Sequence, residues 1–181
     1  GQHFDHKMSG SFFDELGIPD PDVNLGCGGG TQAEQTAAVL VGFESELMSH
    51  KPDLVMVVGD VNSTMACAIS SKKLGVPVAH VEAGIRSGDM GMPEEINRIV
   101  TDSICDHFFT TSEVANRNLR KWGVEESRIH FVGNTMIDTL YQTMRFMPSQ
   151  KIGRAVYGSV VILEVLIIIL ILLHLLINFS T

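Results

Sequence analysis

In two segments of the sequence, a short and mostly apolar run is followed by an acidic residue. Residues 54–64 read LVMVVGDVNST, and residues 78–84 read VAHVEAG. Short runs of this kind, rich in Val, are typical of strands buried in a parallel sheet. The sequence therefore predicts strands at Leu54–Val58 and Val78–Val81.

Helical and strand patterns alternate from Thr31 to Arg145. A capping-box pattern at Thr31 and Glu34, followed by apolar residues at helical spacing, predicts a helix that ends at His50. The same reasoning predicts helices at 63–73, from Pro93 onward, at 113–122 and at 136–144, with strands at 107–110 and 129–132. Such alternation indicates an α/β fold whose parallel sheet is covered on both faces.

The composition limits the classes of partner. The chain has 181 residues, which suits one domain of ordinary size, and 45% of them are hydrophobic. Its net charge of −8 argues against a nucleic-acid partner, because phosphate backbones are bound by clustered Lys and Arg. Three widely spaced cysteines argue against a disulfide framework and against a zinc site. We expect no metal and no cofactor.

The composition changes near the C-terminus. Val160–Ile177 is interrupted only by Glu164 and His174 and approaches the length that crosses a bilayer. Three interpretations remain open: sequence that is not native to the protein, a true membrane anchor, or a core helix of a larger protein. If the anchor is real, the basic residues before it place the globular part on the cytoplasmic side. These residues are Arg145, Lys151 and Arg154.

Acidic residues mark the place where a ligand would bind. Ligands of open parallel sheets lie beyond the carboxyl ends of the strands, and Asp60 and Glu82 fall at such ends. A third acidic residue, Glu94, lies in the first turn of the next helix. Clustered carboxylates are able to serve as an acid and a base. Each also has a structural alternative. Asp60 can cap a helix, Glu82 can pair with Arg86, and Glu94 with Glu95 can complement a helix macrodipole.

Two other motifs are weaker. The run Gly26–Gly30 invites a phosphate-loop interpretation, but no Gly-Lys-Ser/Thr follows it, and a flexible turn is favoured. His3 and His6 have a spacing that suits a metal, yet Cys and acidic partners are lacking nearby. The sequence therefore predicts no metal site here.

Five motifs, taken in order and with their spacing, carry a family resemblance. They are GQHFD at 1–5, GDVNST at 59–64, HVEAGIRSGD at 80–89, PEEINR at 93–98 and GNTMID at 133–138. Together they resemble the bacterial non-hydrolysing UDP-N-acetylglucosamine (UDP-GlcNAc) 2-epimerases. The resemblance covers residues 1–144 as a partial N-terminal domain and leaves 145–181 as a hydrophobic tail outside the family, with a possible transmembrane helix at 160–177.

The resemblance implies a fold and a reaction. The fold is a Rossmann-like parallel sheet that forms the N-terminal half of a GT-B-like two-domain enzyme, here truncated and followed by a C-terminal hydrophobic helix. The substrate is UDP-GlcNAc, and the product, UDP-ManNAc, arises by inversion at C2 through elimination and re-addition of UDP. The family also implies a homodimer. The three distant cysteines, odd in number, fit a reducing compartment, so we expect a cytoplasmic location.

The resemblance also implies roles for individual residues. Asp60, Glu82 and Glu94 correspond to the acidic catalytic set, and the first two are expected to touch the substrate as well. Weaker candidates for substrate contact are Arg86, Gln2 and His3.

The departures from the family matter as much. The first strand of the family and its whole second domain are missing, so this polypeptide alone is expected to have negligible epimerase activity. Two competing interpretations are a glycosyltransferase-like half-domain and a membrane-anchored pseudoenzyme that binds nucleotide sugars. Relatives that act on modified UDP-sugars share much of the pattern, so the exact sugar stays open.

Overall fold

The structure is a computed structural model that describes Pro19 and residues 21–146. The helices are α1 (Gln32–His50), α2 (Asn62–Lys73), α3 (Pro93–Ile104), α4 (Glu113–Lys121) and α5 (Thr135–Phe146). The strands are β1 (Val55–Val58), β2 (Val78–Val81), β3 (His107–Thr110) and β4 (Ile129–Phe131). Every helix and strand predicted between Thr31 and Met144 is confirmed, with ends displaced by one or two residues where they differ.

The four strands form one parallel sheet in the order β1-β2-β3-β4. In the register of the sheet Val58 lies beside Val81, and Val81 lies beside Phe109. The predicted α/β fold with a parallel sheet is therefore confirmed. Because all strands run the same way, the residues that follow β1 and β2 emerge side by side at one edge.

The core lies on one face of this sheet. Val57, Val78 and Phe108 point from the three strands toward this face and are almost fully buried. Ala68 of α2 and Leu119 of α4, each 0% exposed, pack against them. Burial of these side chains on one face holds the helices against the sheet.

The prediction that both faces of the sheet are covered is wrong for β1 in the described part of the chain. Met56 and Val58 are 57% and 59% exposed, whereas their neighbours on the strand are buried. The strand order supplies the reason. When strands are added consecutively in one direction, right-handed crossovers place the connecting helices on the same face.

Helix α1 begins as the sequence predicts. The Thr31 hydroxyl accepts a hydrogen bond from the Glu34 backbone N–H at 3.2 Å, and the Glu34 carboxylate accepts one from the Thr31 N–H at 2.8 Å. This reciprocal pair satisfies two backbone donors that a helix start otherwise leaves unpaired. The capping-box prediction is therefore confirmed.

Helix α3 buries polar residues rather than apolar ones. Its buried residues are Glu95, Asn97, Thr101 and Asp102. Ile96, one of the apolar residues whose spacing marks the helix in the sequence, is 44% exposed. A buried polar face is stable only where hydrogen bonds satisfy it, so α3 is tied to its neighbours by specific contacts.

Some sequence predictions fall outside the described residues. Gln2 and His3 do so, and so does the hydrophobic segment at 160–177. Among the helices that the structure does describe, none combines the length and the apolar character needed to span a bilayer. Helix α5 belongs to a second compact unit that begins at Asn134, and the site described next lies in the first unit.

Candidate active site

Asp60 and Glu82 emerge beside each other at the carboxyl edge of the sheet. The Gly59 N–H donates to the Val81 carbonyl at 3.1 Å, which continues the β1–β2 pairing up to the two acidic residues. A Cβ built on Gly59 would lie 3.9 Å from Oε2 of Glu82. The Glu82 carboxylate therefore lies next to the turn that carries Asp60, as expected if adjacent strands carry the two residues.

The backbone of Glu82 explains where its side chain points. Glu82 has φ 70°, in the left-handed region that residues other than glycine rarely occupy. The N–H groups of Glu82 and Ala83 both donate to the Phe109 carbonyl, at 3.0 and 3.2 Å, and hold this conformation. Such strain, of about 1–3 kcal/mol, persists only where neighbouring contacts impose it, and it is frequent at functional sites.

Asp60 is held by α3 and does not cap α2. Val61 occupies the N-cap position of α2, and no side chain caps that helix, so the capping alternative is wrong. The Asp60 carboxylate instead forms an ion pair with the Arg98 guanidinium, and the Asn97 amide donates to the Asp60 carbonyl at 2.9 Å. The Asp60 side chain keeps 33% of its surface exposed, so its carboxylate can still meet a ligand.

Glu95 fixes the loop that follows Glu82. Its carboxylate accepts hydrogen bonds from the Ser87 N–H at 2.9 Å, the Ser87 hydroxyl at 3.1 Å and the Gly88 N–H at 3.1 Å. It also pairs with Arg98 at 3.0 Å. Arg98 therefore connects Glu95 to Asp60, and a single helix positions both loops of the site.

Glu94 lies in the first turn of α3, immediately before Glu95, and is half-buried. Across residues 21–146 the structure shows no hydrogen bond or ion pair that holds the Glu94 carboxylate. Two chemically identical neighbours thus differ in environment. Glu95 has the contacts of a positioning residue, whereas the carboxylate of Glu94 is held by no described residue and is available for acid–base chemistry.

The environment of Glu95 shifts its pKa strongly. Burial acts to raise the pKa of Glu95, but the backbone N–H groups of Ser87 and Gly88, together with Arg98 and the Ser87 hydroxyl, lower it to about 2 from 4.5. Hydrogen bonds and a nearby cation favour the charged form of a carboxylate. At neutral pH Glu95 is therefore an ionised acceptor.

Replacing Glu95 by Gln is expected to lower the free energy of unfolding by about 2–3 kcal/mol at pH 7. Because the pKa of Glu95 is lower in the folded chain than its ordinary value of 4.5, the ionised carboxylate stabilises the fold above that pH. This stabilisation is lost as the pH falls from 4.5 toward 2. Urea unfolding of both proteins across this range measures the effect. A Glu94→Gln control should change stability by less than about 0.5 kcal/mol. A Glu95→Gln deficit that does not depend on pH would contradict the expectation.

Arg86 turns toward the interior of the domain. Its Nη1 lies 2.6 Å from Oδ2 of Asp102, and its guanidinium lies 5.1 Å from the centre of the Trp122 ring. The alternative ion pair between Glu82 and Arg86 does not form in the described structure. Two further nitrogens of Arg86, Nε and Nη2, are buried without a hydrogen-bond partner. Arg86 thus contributes to the site by supporting the loop that follows β2.

Sequence reasoning missed most of the supporting residues. His80, Glu95, Asn97, Arg98 and Asp102 lie within the motifs or beside them, yet none was predicted to have a function. One signal was available, since His80 interrupts an otherwise apolar strand, and a buried polar side chain requires a partner. Among the described residues, no three His, Cys, Asp or Glu side chains cluster in a way that would hold a metal ion.

Comparison with known proteins identifies relatives. The chain matches the family model described as UDP-N-acetylglucosamine 2-epimerase over residues 1–169, which extends past Met144. It is 45% identical over 161 residues to the UDP-N-acetylglucosamine 2-epimerase of Methanocaldococcus jannaschii, covering 89% of this chain and 44% of the relative. It is 48% identical over 141 residues to the UDP-2,3-diacetamido-2,3-dideoxy-D-glucuronate 2-epimerase of Pseudomonas aeruginosa, covering 77% and 40%.

A solved structure shows the same fold. The crystal structure of the Methanocaldococcus jannaschii UDP-GlcNAc 2-epimerase in complex with UDP-GlcNAc and UDP superposes with a TM-score of 0.79 at 44% identity. The match covers 88% of this chain and 44% of that structure, so the chain spans less than half the length of these relatives. On the strength of the family match over most of its residues, the chain belongs to the UDP-N-acetylglucosamine 2-epimerase family.

Proposed function

We propose that this chain supplies the carboxylate-bearing half of an enzyme that interconverts UDP-GlcNAc and UDP-ManNAc by inverting C2 of the sugar. The observation that carries the proposal is that Asp60 and Glu82 follow neighbouring strands and lie close together at the carboxyl edge of the sheet. The Methanocaldococcus jannaschii relative, which is 45% identical, is named as a UDP-GlcNAc 2-epimerase and is solved with UDP-GlcNAc and UDP. The carboxyl edge is also where parallel α/β sheets bind their ligands.

The chemistry of C2 inversion explains the need for several carboxylates. The C2 proton of the sugar is not acidic, so its removal must be coupled to departure of UDP from C1. Loss of the proton and of the C1–O bond gives UDP and a 2-acetamidoglucal. Return of a proton to the opposite face of C2, with re-addition of UDP at C1, gives the epimer. One carboxylate takes the proton, a second delivers one, and negative charge nearby stabilises oxocarbenium-like character at C1.

The described residues suit these tasks. Asp60 and Glu82 lie together, and Glu94 has an unpaired carboxylate on the helix that positions both loops. We assign the acid and base roles to this set and not to its individual members. Arg98 holds Asp60 in place, and Glu95 holds the loop after Glu82, so the reacting groups keep a fixed geometry.

The relatives are about twice as long as this chain, and the family resemblance places the active site between two domains. We therefore expect residues outside this chain to complete the site and to hold most of the UDP group. The homodimer implied by the resemblance stays a prediction. For experiments, we define the completed protein as this chain joined to the remaining residues of the Methanocaldococcus jannaschii relative.

Proton NMR in D₂O tests the proposal. The completed protein, given UDP-GlcNAc, is expected to form UDP-ManNAc with deuterium at C2, because the returning proton comes from solvent. The 181-residue chain alone is expected to convert UDP-GlcNAc at least about 10²-fold more slowly than the completed protein, because a site that lacks the second domain does not align its substrate. A folded completed protein that shows no C2 exchange with UDP-GlcNAc, nor with the UDP-2,3-diacetamido-2,3-dideoxy-D-glucuronate for which the Pseudomonas aeruginosa relative is named, would overturn the proposal.

The Pseudomonas aeruginosa relative suggests a second UDP-sugar as the substrate of this chain. It is 48% identical over its matched region and is named for a diacetamido-glucuronate substrate. The same assay with that UDP-sugar separates the two specificities. C2 exchange with this substrate alone would keep the reaction and change the proposed substrate.

A further inference from the structure

A buried histidine in β2, His80, forms a hydrogen bond with each of its two ring nitrogens. His80 is 1% exposed. Its Nδ1 lies 2.6 Å from Oδ1 of Asp102 on α3, and its Nε2 lies 2.9 Å from the carbonyl oxygen of Gly59. The imidazole thus spans from the helix to the turn that carries Asp60.

The partners determine where the protons of this ring lie. A carbonyl oxygen only accepts, so Nε2 must carry a proton and donate it to Gly59. The other oxygen of Asp102, Oδ2, accepts from the Gly84 N–H at 3.0 Å and from Arg86 at 2.6 Å, as an ionised carboxylate does. Nδ1 therefore donates to Asp102, and the ring donates from both nitrogens.

Through this arrangement, one pair of side chains connects the turn that carries Asp60 with the turn that carries Glu82. Gly59 immediately precedes Asp60, and Gly84 follows Glu82 by two residues. His80 holds the first turn, and Asp102 holds the second. We propose that His80 and Asp102 form a positioning pair that sets the separation of Asp60 and Glu82 for the C2 inversion, an inference that rests on the proposed function.

The energetics favour a geometric role over simple stabilisation. A buried charged pair loses hydration, and replacing such a pair by apolar groups of similar size is often neutral for stability. The hydrogen bonds of His80 and Asp102, in contrast, have fixed directions and end on backbone atoms beside the two carboxylates. What the pair adds is therefore the placement of Asp60 relative to Glu82.

Two conservative variants separate the two bonds of His80. The amide of His80→Gln reaches the position of Nε2 and is able to donate to Gly59. The amide of His80→Asn reaches only the position of Nδ1 and is able to donate to Asp102. Both remove the ring, so each serves as the stability control for the other.

In the completed protein, His80→Asn is expected to lower kcat by about 10²-fold. The turn that carries Asp60 loses its hydrogen bond from residue 80, and a small misplacement of a reacting group slows the reaction strongly. KM should change by less than about threefold, since positioning residues do not touch the substrate. His80→Gln should retain kcat within about tenfold of the unsubstituted protein. Thermal unfolding of both variants checks that their stabilities are matched.

Nitrogen-15 NMR of the His80 ring in the unsubstituted 181-residue chain tests the bonding independently of catalysis. Two protonated ring nitrogens are expected, and a single one would overturn the assignment and with it the proposed pair. Equal kcat losses in His80→Asn and His80→Gln would overturn the positioning role alone. If the completed protein is folded but inactive without any substitution, the proposed function fails, and the positioning role fails with it.

Discussion

Replacing Asp60 by Asn is expected to lower kcat of the completed protein by about 10²–10⁴-fold, the range that a lost general acid or base costs. Asn keeps the size of the side chain but does not take up a proton. The Asp60 carbonyl still accepts from Asn97, and Asn97 also donates to Asn62, so the turn stays anchored. The measurement is the rate of C2 deuterium exchange at saturating UDP-GlcNAc.

Asp53→Asn is the matched control. Asp53 is exposed and lies before β1, at the opposite end of the strand that Asp60 follows. The same chemical change there should leave kcat within about twofold, because surface substitutions away from special features have small effects. Equal rates for Asp60→Asn and the unsubstituted protein, with both folded, would remove Asp60 from the catalytic set.

Replacing Gly84 by Ala is expected to lower the free energy of unfolding by about 3–5 kcal/mol. Gly84 has φ +78°, and a Cβ there would lie 2.5 Å from the Ala115 carbonyl oxygen and 3.0 Å from Cγ of Leu119. The nearest atom belongs to the backbone of α4, so it cannot rotate away. The strained backbone and the forced separation of α4 from β2 both contribute, and urea unfolding of the 181-residue chain measures their sum.

Gly75→Ala provides the control for backbone strain. Gly75 has φ +76°, and a Cβ there would meet nothing within 4 Å. Only the left-handed backbone is penalised at this position, so a loss of about 1–2 kcal/mol is expected. Equal losses for Gly84→Ala and Gly75→Ala would show that α4 does not pack against Gly84 as closely as described.

The sheet and its acidic edge were predictable from sequence because both depend on local order. Apolar runs the length of a strand, separated by helical segments, predict parallel strands whose carboxyl ends share one edge. Consecutive strands are commonly neighbours, and in that case Asp60 and Glu82 emerge together. The motifs around them also identified the family before any contact was known.

The face that α3 buries was not predictable in this way. Periodic apolar residues marked the helix, yet Glu95 and Asp102 are buried and Ile96 is 44% exposed. Glu94 and Glu95 are identical in chemistry and adjacent in sequence, so composition and spacing do not distinguish them. Only the rotation of α3 about its axis, set by the contacts of Glu95 with Ser87 and Gly88 and by the ion pair of Arg98 with Asp60, aims Glu95 inward.

Local pattern therefore determined the order of strands and helices, the parallel sheet and the edge at which the carboxylates lie, because each follows from neighbours in sequence. The support of those carboxylates arises only in the folded chain. His80 contacts Gly59 and Asp102, which are 21 and 22 residues away along the sequence. Hydrogen bonds over such separations have no local periodicity, since they form only when packing has brought the strands and α3 together.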